Sequence, residues 1–559
     1  MITTAPKTCL RMPRCRGIEI EEGSISQLQD YLSKAAFTSK ELVQCYLRRI
    51  ELVNPYVKAV IETNPDALDI ADELDEERKN GHVRTLLHGI PFIVKDNIAT
   101  KDKMQTTAGC AALAGTVVPS DARVITLLRE AGAVLLGKAN LSEFASMRAS
   151  YYAEGYSSRG GQNRNPYNLA HHPGGSSSGS ASSLASNMCA FSIGTETDGS
   201  IMFPADRNAV VGLKPTVGLT STMGVIPESP SMDTVGPFGR SVEDATIVLD
   251  IIHERRATTD NHIDRLVSTS VQSQNSCPGP YTSWLSKKDV LKGARFGIPW
   301  KRVWETASTN ATNGLEYDSL MELIKKIEKA GALVVKVDFQ SAEEIISPGG
   351  WDWEFGDGKT GSRLSEFEVV RTEFYRSLQS YLNELEETKI YSLEDVVTYN
   401  IQHTTQEGGV PRTHPAWPTG QDNFDKCLES KDWPEDIYLK ALEYIRRKSR
   451  DEGIDTALRL EGDDNLDGLL VPLQADGGVA CSVAAKAGYP MITVPVGIDN
   501  IGVPFGIGII QTAFKEHLLV RYGSAIEDLV GRRMVPRFLN LEADNYPYIG
   551  TPPEKASLP

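Results

Sequence analysis

The chain has 559 residues, of which 40% are hydrophobic and 24% are charged, a composition typical of soluble globular proteins. Its formal net charge of −16 argues against sequence-independent binding to nucleic acid, which needs a basic surface. Eight cysteines stand singly without a CxxC pair, and nine histidines show no metal-ligand spacing, so we expect reduced thiols, no structural metal and a cytoplasmic location.

The N-terminal residues 1–23 are mixed and charged, without the apolar core of a secretory signal, and we expect them to form a tail. No apolar run approaches the length of a membrane-spanning helix, so no membrane association is expected. The remaining residues, 24–559, are predicted to form one large domain.

Helices and strands are predicted to alternate along this domain. Hydrophobic spacing at the helical period predicts helices over residues 24–35, 38–52, 65–80, 121–131, 242–252, 314–330 and 517–530. Short apolar runs bounded by turn residues predict strands over residues 57–61, 90–94, 132–136, 190–193, 294–298, 333–338, 468–472, 491–496 and 506–510. The alternation predicts an α/β fold, with a mixed central sheet covered by helices on both faces.

Residues of about 341–464 differ from the rest of the domain. They carry four tryptophans and long amphipathic patterns, and they contain no run typical of a buried strand. This stretch is predicted to be a mostly helical insertion. Its aromatic residues either line a route for substrate or anchor the helices to the core, and the second interpretation is favoured.

The stretch 173–216 is the most informative in the chain. Two turns rich in glycine and serine, at 174–180 and 194–200, flank a segment of small residues predicted to be helical. A flexible linker is the alternative interpretation. The interleaved apolar residues, such as Leu184 and Phe191, favour a buried site, in which glycine permits close backbone approach and serine supplies nucleophilic hydroxyls.

The order of these motifs resembles the amidase signature family of serine hydrolases. The matching sequences are GGSSSG at 174–179, GTETDGSI at 194–201, PA at 204–205 and GLKPT at 212–216. Further matches are GIPFIVKDN at 89–97, GKANLSEF at 137–144, DTVGP at 233–237 and GYP at 488–490. The resemblance covers most of the chain and implies the α/β/α fold of that family.

The resemblance also implies a role for each motif residue. Ser200 corresponds to the nucleophile, Ser176 to a bridging serine preceded by a cis peptide bond, and Lys95 to the base. The backbone N–H groups of Thr197, Asp198, Gly199 and Ser200 correspond to the oxyanion hole, and Ser177 to a supporting residue. Independently, Lys95 follows a buried strand, where burial favours the neutral amine that a base requires.

Departures from the family pattern bear on the substrate. Met202 stands where many members have arginine, and Asp198 where many have glycine. A thioether cannot bind a carboxylate as a guanidinium does, so an uncharged, partly apolar acyl group is expected. Met104, Met202 and Phe203 are candidate substrate contacts, with packing beneath the turn as an equally weighted alternative for Met202 and Phe203.

The predicted function is hydrolysis of a carboxylic amide through an acyl-enzyme, with release of ammonia or an amine and without a metal or cofactor. Acyl transfer by an amide-forming enzyme, or the role of an amidotransferase subunit, is the alternative. A catalytically silent relative is disfavoured by the intact Lys95, Ser176 and Ser200. The expected partner is a small-molecule amide, and the sequence leaves open whether the protein is a homodimer.

Overall fold

A computed structural model describes residues 10–254, 279–309, 314–356, 363–460, 465–542 and 549. In these residues the main hydrophobic core lies between an 11-stranded sheet and the surrounding helices. The predicted mixed sheet with helical cover is confirmed. Among the described helices, none combines the length and apolar character required to cross a bilayer.

The strands are numbered in chain order. They are β1 (Val60–Thr63), β2 (Pro91–Lys95), β3 (Val134–Ala139), β4 (Tyr156–Ser157), β5 (Gly161–Gln162), β6 (Phe191–Glu196), β7 (Val211–Lys214), β8 (Thr234–Gly239), β9 (Arg295–Pro299), β10 (Leu333–Val337), β11 (Gly468–Pro472), β12 (Met491–Ile498) and β13 (Pro504–Ile510). The large sheet has the order β1-β3-β2-β6-β8-β7-β12-β13-β11-β9-β10, and β4 pairs with β5 separately.

The helices are likewise numbered in chain order. They are α1 (Ile25–Ser33), α2 (Ser39–Val57), α3 (Ala67–Lys79), α4 (Arg123–Glu130), α5 (Ser178–Ala185), α6 (Met202–Arg207), α7 (Val242–Ile252), α8 (Glu305–Thr309), α9 (Gly314–Lys329), α10 (Ala342–Ile345), α11 (Glu366–Glu384), α12 (Leu393–Gln402), α13 (Thr404–Glu407), α14 (Asp422–Glu429), α15 (Glu435–Ser449), α16 (Asp455–Ala457), α17 (Val479–Ala487) and α18 (Glu516–Val530). Short 3₁₀ and π turns connect several of them.

The structure differs from the predicted elements at several places near the site, where α6, β7 and β8 were not predicted. The first strand begins at Val60 instead of residue 57, because α2 continues to Val57 and ends at Lys58 in a left-handed conformation. Strand β8 lies between β6 and β7 although its sequence, TVGPFG, contains a proline and two glycines. A Cβ at Gly236 would lie 2.2 Å from Leu213 O, so glycine is required where these strands approach closely.

Residues 10–23 differ from the expected tail. Cys15 and Ile20 are buried and belong to the main core, which places this stretch in the folded body of the protein. Arg49 of α2 contacts it through a hydrogen bond from Nη1 to Leu10 O. Residues 1–9 of the predicted tail lie outside the described residues.

Between 341 and 464, the described residues form seven helices and contribute no strand to the large sheet. A buried ion cluster fastens α13 to the core. Arg148 donates to both Glu143 and Glu407, at 3.0 Å for Glu407 Oε2, and its guanidinium lies 3.6 Å from the centre of the Trp417 ring. Glu143, Glu407 and Cys110 have the arrangement of metal ligands, but the Arg148 cation already bridges the two carboxylates. That the stretch is an insertion stays a prediction.

Candidate active site

Lys95 is the last residue of β2, where the neighbouring strands β3 and β6 run parallel to it. Ligand sites of α/β sheets form at such carboxyl ends of parallel strands. The Lys95 side chain is fully buried. Its Nζ lies 2.7 Å from Ser176 Oγ, 2.8 Å from Thr195 Oγ1 and 3.2 Å from Thr195 O.

Ser176 lies in the turn 174–177, named here the Ser176 turn, immediately before α5. The Gly175–Ser176 peptide bond is cis, as the family resemblance implied. Helix α5 consists mostly of small residues because it packs with its backbone against the neighbouring backbone. A Cβ at Gly179 would lie 2.3 Å from Ala59 O and 2.4 Å from Asn140 N.

Ser200 ends the turn 197–200, named here the Ser200 turn, which follows β6. Ser177 joins the two turns, since its N–H donates to Ser200 O at 3.1 Å and its hydroxyl donates to Thr195 O at 2.9 Å. Ser176 and Ser200 are 1% and 5% exposed, so the site is almost closed to water.

The backbone of the Ser200 turn presents N–H groups without acceptors. The next two N–H groups, of Ile201 and Met202, donate to Glu196 Oε2 at 2.7 and 3.0 Å. By contrast, none of the N–H groups of residues 197–200 has an acceptor among the described residues. Gly199 allows the turn with a φ of +75°, and a Cβ there would lie 2.2 Å from the Phe203 ring. Consecutive free N–H groups of this kind receive anions.

Burial lowers the pKa of Lys95 to about 7, against the opposing effect of the carboxylates of Glu228 and Asp233. Thr197 Oγ1 donates to Asp233 and lies 2.8 Å from Glu228 Oε2. The two carboxylates therefore share one hydroxyl donor, and burial followed by the Asp233 charge raises the pKa of Glu228 well above its usual range. A protonated Glu228 reduces the negative charge that would hold Lys95 protonated.

The three candidate substrate contacts lie in different environments in the structure. Phe203 is partly exposed, and its ring lies between Gly199 and Gly478. Met202 is fully buried, and its Sδ accepts a hydrogen bond from Thr493 Oγ1 at 3.3 Å. Met104 lines a cavity of about 230 Å³ whose lining contains none of the three predicted catalytic residues. Of the three, Phe203 alone lies against the Ser200 turn at a partly exposed position.

Sequence reasoning missed the groups that hold Lys95 in place. Thr195 supplies two of its three contacts, and Asn97 Nδ2 donates to Thr195 Oγ1 at 3.0 Å. Thr195 lies in the motif GTETDGSI and Asn97 in the motif GIPFIVKDN, so the motifs were the available signal for both residues. Glu228 gave no such signal, because its contact with Thr197 depends on the path of the chain between β7 and β8.

Comparison with known proteins gives the family of the chain. The Amidase family model matches residues 41–406. A putative amidase of Schizosaccharomyces pombe is 51% identical over 541 residues, covering 96% of this chain and 90% of that protein. The X-ray structure of a peptide amidase from Stenotrophomonas maltophilia superposes with a TM-score of 0.79 at 36% identity, covering 93% of this chain and 99% of that one.

A more distant relative is a glutamyl-tRNA(Gln) amidotransferase subunit from Acinetobacter baumannii, which is 31% identical over 508 residues, covering 89% of this chain and 94% of that protein. These similarities, with the sheet and the two glycine/serine turns, define an enzyme that acts on amide bonds. The chain belongs to the amidase family.

Proposed function

We propose that this protein hydrolyses a carboxylic amide through an acyl-enzyme on Ser200, with Ser176 and Lys95 as proton carriers. One observation carries the proposal. Lys95 Nζ, whose pKa is lowered to about 7 by burial, lies 2.7 Å from Ser176 Oγ, in a turn bonded to the Ser200 turn. A neutral amine has two N–H groups for the Thr195 oxygens and a lone pair for the Ser176 hydroxyl proton.

In the proposed acylation, Ser200 Oγ attacks the amide carbonyl carbon while its proton passes to Ser176 Oγ, whose own proton passes to Lys95 Nζ. The oxygen of the tetrahedral intermediate becomes an oxyanion, which the N–H groups of residues 197–200 receive. The proton then returns from Lys95 through Ser176 to the leaving nitrogen, and the C–N bond breaks. Ammonia or an amine departs, and the acyl group remains as an ester on Ser200.

Deacylation repeats the same proton path with water as the nucleophile. Water loses a proton through Ser176 to Lys95 and attacks the ester carbonyl, and the proton returns to Ser200 Oγ as the acid leaves. Every step uses side-chain and backbone groups of this chain, so the proposal includes no metal and no cofactor. The buried, nearly closed site favours a neutral lysine and strengthens the oxyanion contacts.

The substrate class follows from the side chains around the Ser200 turn. The partly exposed Phe203 ring beside the Ser200 turn supports an uncharged acyl portion with apolar or aromatic character. The similarity to a peptide amidase adds amidated peptides to the substrates that we propose to test. A small-molecule amide as partner, a cytoplasmic location and a homodimer stay predictions.

A panel of primary amides of graded acyl size, including acetamide, hexanamide, benzamide and an N-acetylated peptide amide, tests the proposal. Ammonia release and mass spectrometry of the acid product are the measurements, with Ser200→Ala as the matched control. We expect turnover of the apolar or peptide amides by the wild type and none by the variant. Absence of turnover on every amide, or equal turnover by the variant, would contradict the proposal.

Acyl transfer is the second candidate, supported by the similarity to an amidotransferase subunit. The two reactions share the acyl-enzyme and differ in what attacks it. Adding hydroxylamine to the panel separates them. An acid as the main product in its absence supports hydrolysis, whereas product formation only when an amine nucleophile is present would support a transferase.

A further inference from the structure

Asp198 and Glu366 face each other beside the Ser200 turn. Asp198 belongs to that turn, and Glu366 is the first residue of α11, where it is fully buried. Their carboxyl groups are within hydrogen-bonding reach. Asp198 Oδ1 and Glu366 Oε1 are both buried, and neither has a hydrogen-bond partner among the described residues.

The second oxygen of each carboxyl group contacts another part of the chain. Trp351 Nε1 donates to Asp198 Oδ2 at 3.0 Å, and Lys486 Nζ of α17 lies 2.9 Å from Glu366 Oε2. Ser482 Oγ lies 3.5 Å from the same Glu366 oxygen and also accepts a bond from Lys486. The result is a continuous chain of polar contacts from the loop before α11, through the Ser200 turn and α11, to α17.

Charge balance requires one more proton in this chain of contacts. Two ionised carboxylates would place two negative charges against the single ammonium of Lys486, and each would leave a buried acceptor oxygen without a donor. A proton between Asp198 Oδ1 and Glu366 Oε1 supplies the missing donor and leaves one negative charge against Lys486. Burial, followed by the charge of Asp198, raises the pKa of Glu366 to about 8, which is consistent with retention of this proton at neutral pH.

We propose that Asp198 and Glu366 share a proton, and that Glu366 is thereby a positioning residue that holds the oxyanion-binding backbone of the Ser200 turn against α11. This inference rests on the proposed function, since it assigns Glu366 a role in that reaction. Among the described residues, the other charged groups near the pair are Lys486 on α17, Glu228 before β8, Lys214 of β7 and Glu196 of β6.

The pair has a defined pH dependence. Loss of the shared proton above its pKa leaves two buried carboxylates in contact, which repel each other and displace the Ser200 turn. We therefore expect kcat to fall on the alkaline side, through one ionisation, after the rise that Lys95 produces near neutral pH. Replacing Glu366 by glutamine provides a donor that does not ionise, so the alkaline fall should disappear.

The test compares Glu366→Gln, Glu366→Leu and the control Glu368→Gln, whose parent carboxylate lies on the same helix and pairs with Arg371. We expect kcat of the glutamine variant within threefold of wild type at pH 7 and constant up to pH 10. The leucine variant should lose at least tenfold in kcat with the folded circular-dichroism spectrum retained, and the control should keep the wild-type profile. An alkaline fall retained in Glu366→Gln, or a kcat retained in Glu366→Leu, would overturn the proposal.

A measurement without substrate separates this inference from the proposed reaction. Trp351 donates to Asp198, so its fluorescence, obtained as wild type minus Trp351→Phe, should change between pH 7 and 10 as the shared proton is lost. When the same Trp351 difference is measured in proteins that carry Glu366→Gln, the fluorescence should no longer change with pH. A difference signal that is flat with pH, or that is unaffected by Glu366→Gln, would refute proton sharing even if every amide were turned over as proposed.

Discussion

Replacement of Lys95 by methionine, which is similar in length and apolar, separates the chemistry of the amine from its packing. The fall in pKa from 10.5 to about 7 corresponds to about 5 kcal/mol by which burial, net of the nearby carboxylates, disfavours the ammonium. The wild-type protein tolerates this cost near neutral pH, where lowering of the pKa makes the neutral amine accessible. We expect Lys95→Met to fold and to lose at least ~10²-fold in kcat/KM, the lower end for general base catalysis.

The direction in which pH changes the free energy of unfolding follows from the number of protons that the folded and unfolded states bind. Because the folded-state pKa is depressed, the unfolded state binds more protons between pH 7 and 10.5, so stability rises with pH across this window. Between pH 7 and 9.5 the Lys95 contribution to the free energy of unfolding should grow by about 3 kcal/mol. Urea unfolding of the wild type and Lys95→Met at both pH values measures it, since other titrating groups cancel in the comparison.

Lys138 provides the matched control, because it is also fully buried and burial lowers its pKa to about 8. Its Nζ donates to Ile98 O and Thr106 Oγ1, away from both turns. Lys138→Met should show a similar loss of pH-dependent stability and retain turnover within tenfold. The reasoning would be refuted if kcat/KM of the wild type did not rise with pH through about 7, or if Lys95→Met kept the wild-type rate.

Three further predictions follow from the contacts described. Ser176→Ala should lower kcat at least ~10²-fold with little change in KM, because it interrupts the proton path; an unchanged kcat would contradict this. Glu407→Ala should lower the free energy of unfolding in urea by about 3–5 kcal/mol, because it leaves Arg148 buried with one carboxylate fewer; a loss below about 1 kcal/mol would contradict it. Met202→Arg should lower the melting temperature without changing the ranking of amide substrates, because Met202 is buried against Thr493; a shift toward acidic substrates would show contact with substrate.

The sequence predicts the part of the site that lies in continuous motifs. The apolar run before Lys95 predicts β2, and the observed strand ends at Lys95. The glycine/serine turns predict a buried site, and the structure places Ser176 beside Lys95. These predictions succeed because local burial and backbone requirements are encoded within a few residues.

Contacts between distant parts of the chain were not predictable in the same way. The Asp198–Glu366 pair joins residues far apart in sequence, and neither residue type indicates a partner. Strand β8 contains no apolar run, because the tight approach of β7 selects glycine where a strand pattern would show a larger residue. The buried Cys15 and Ile20 likewise depend on a core formed by elements that follow them in the chain.

The most direct test of the central claim is the site of covalent modification. A serine-directed fluorophosphonate should label Ser200, as digestion and mass spectrometry will detect. The Ser200→Ala variant, if its fold is unchanged, should take up no label. Brief reaction with a substrate amide followed by acid quenching should give the corresponding acyl mass on the same peptide. Label or acyl group on Ser176, Ser177 or Ser178 instead, or full turnover by Ser200→Ala, would contradict the assignment of Ser200 as the nucleophile.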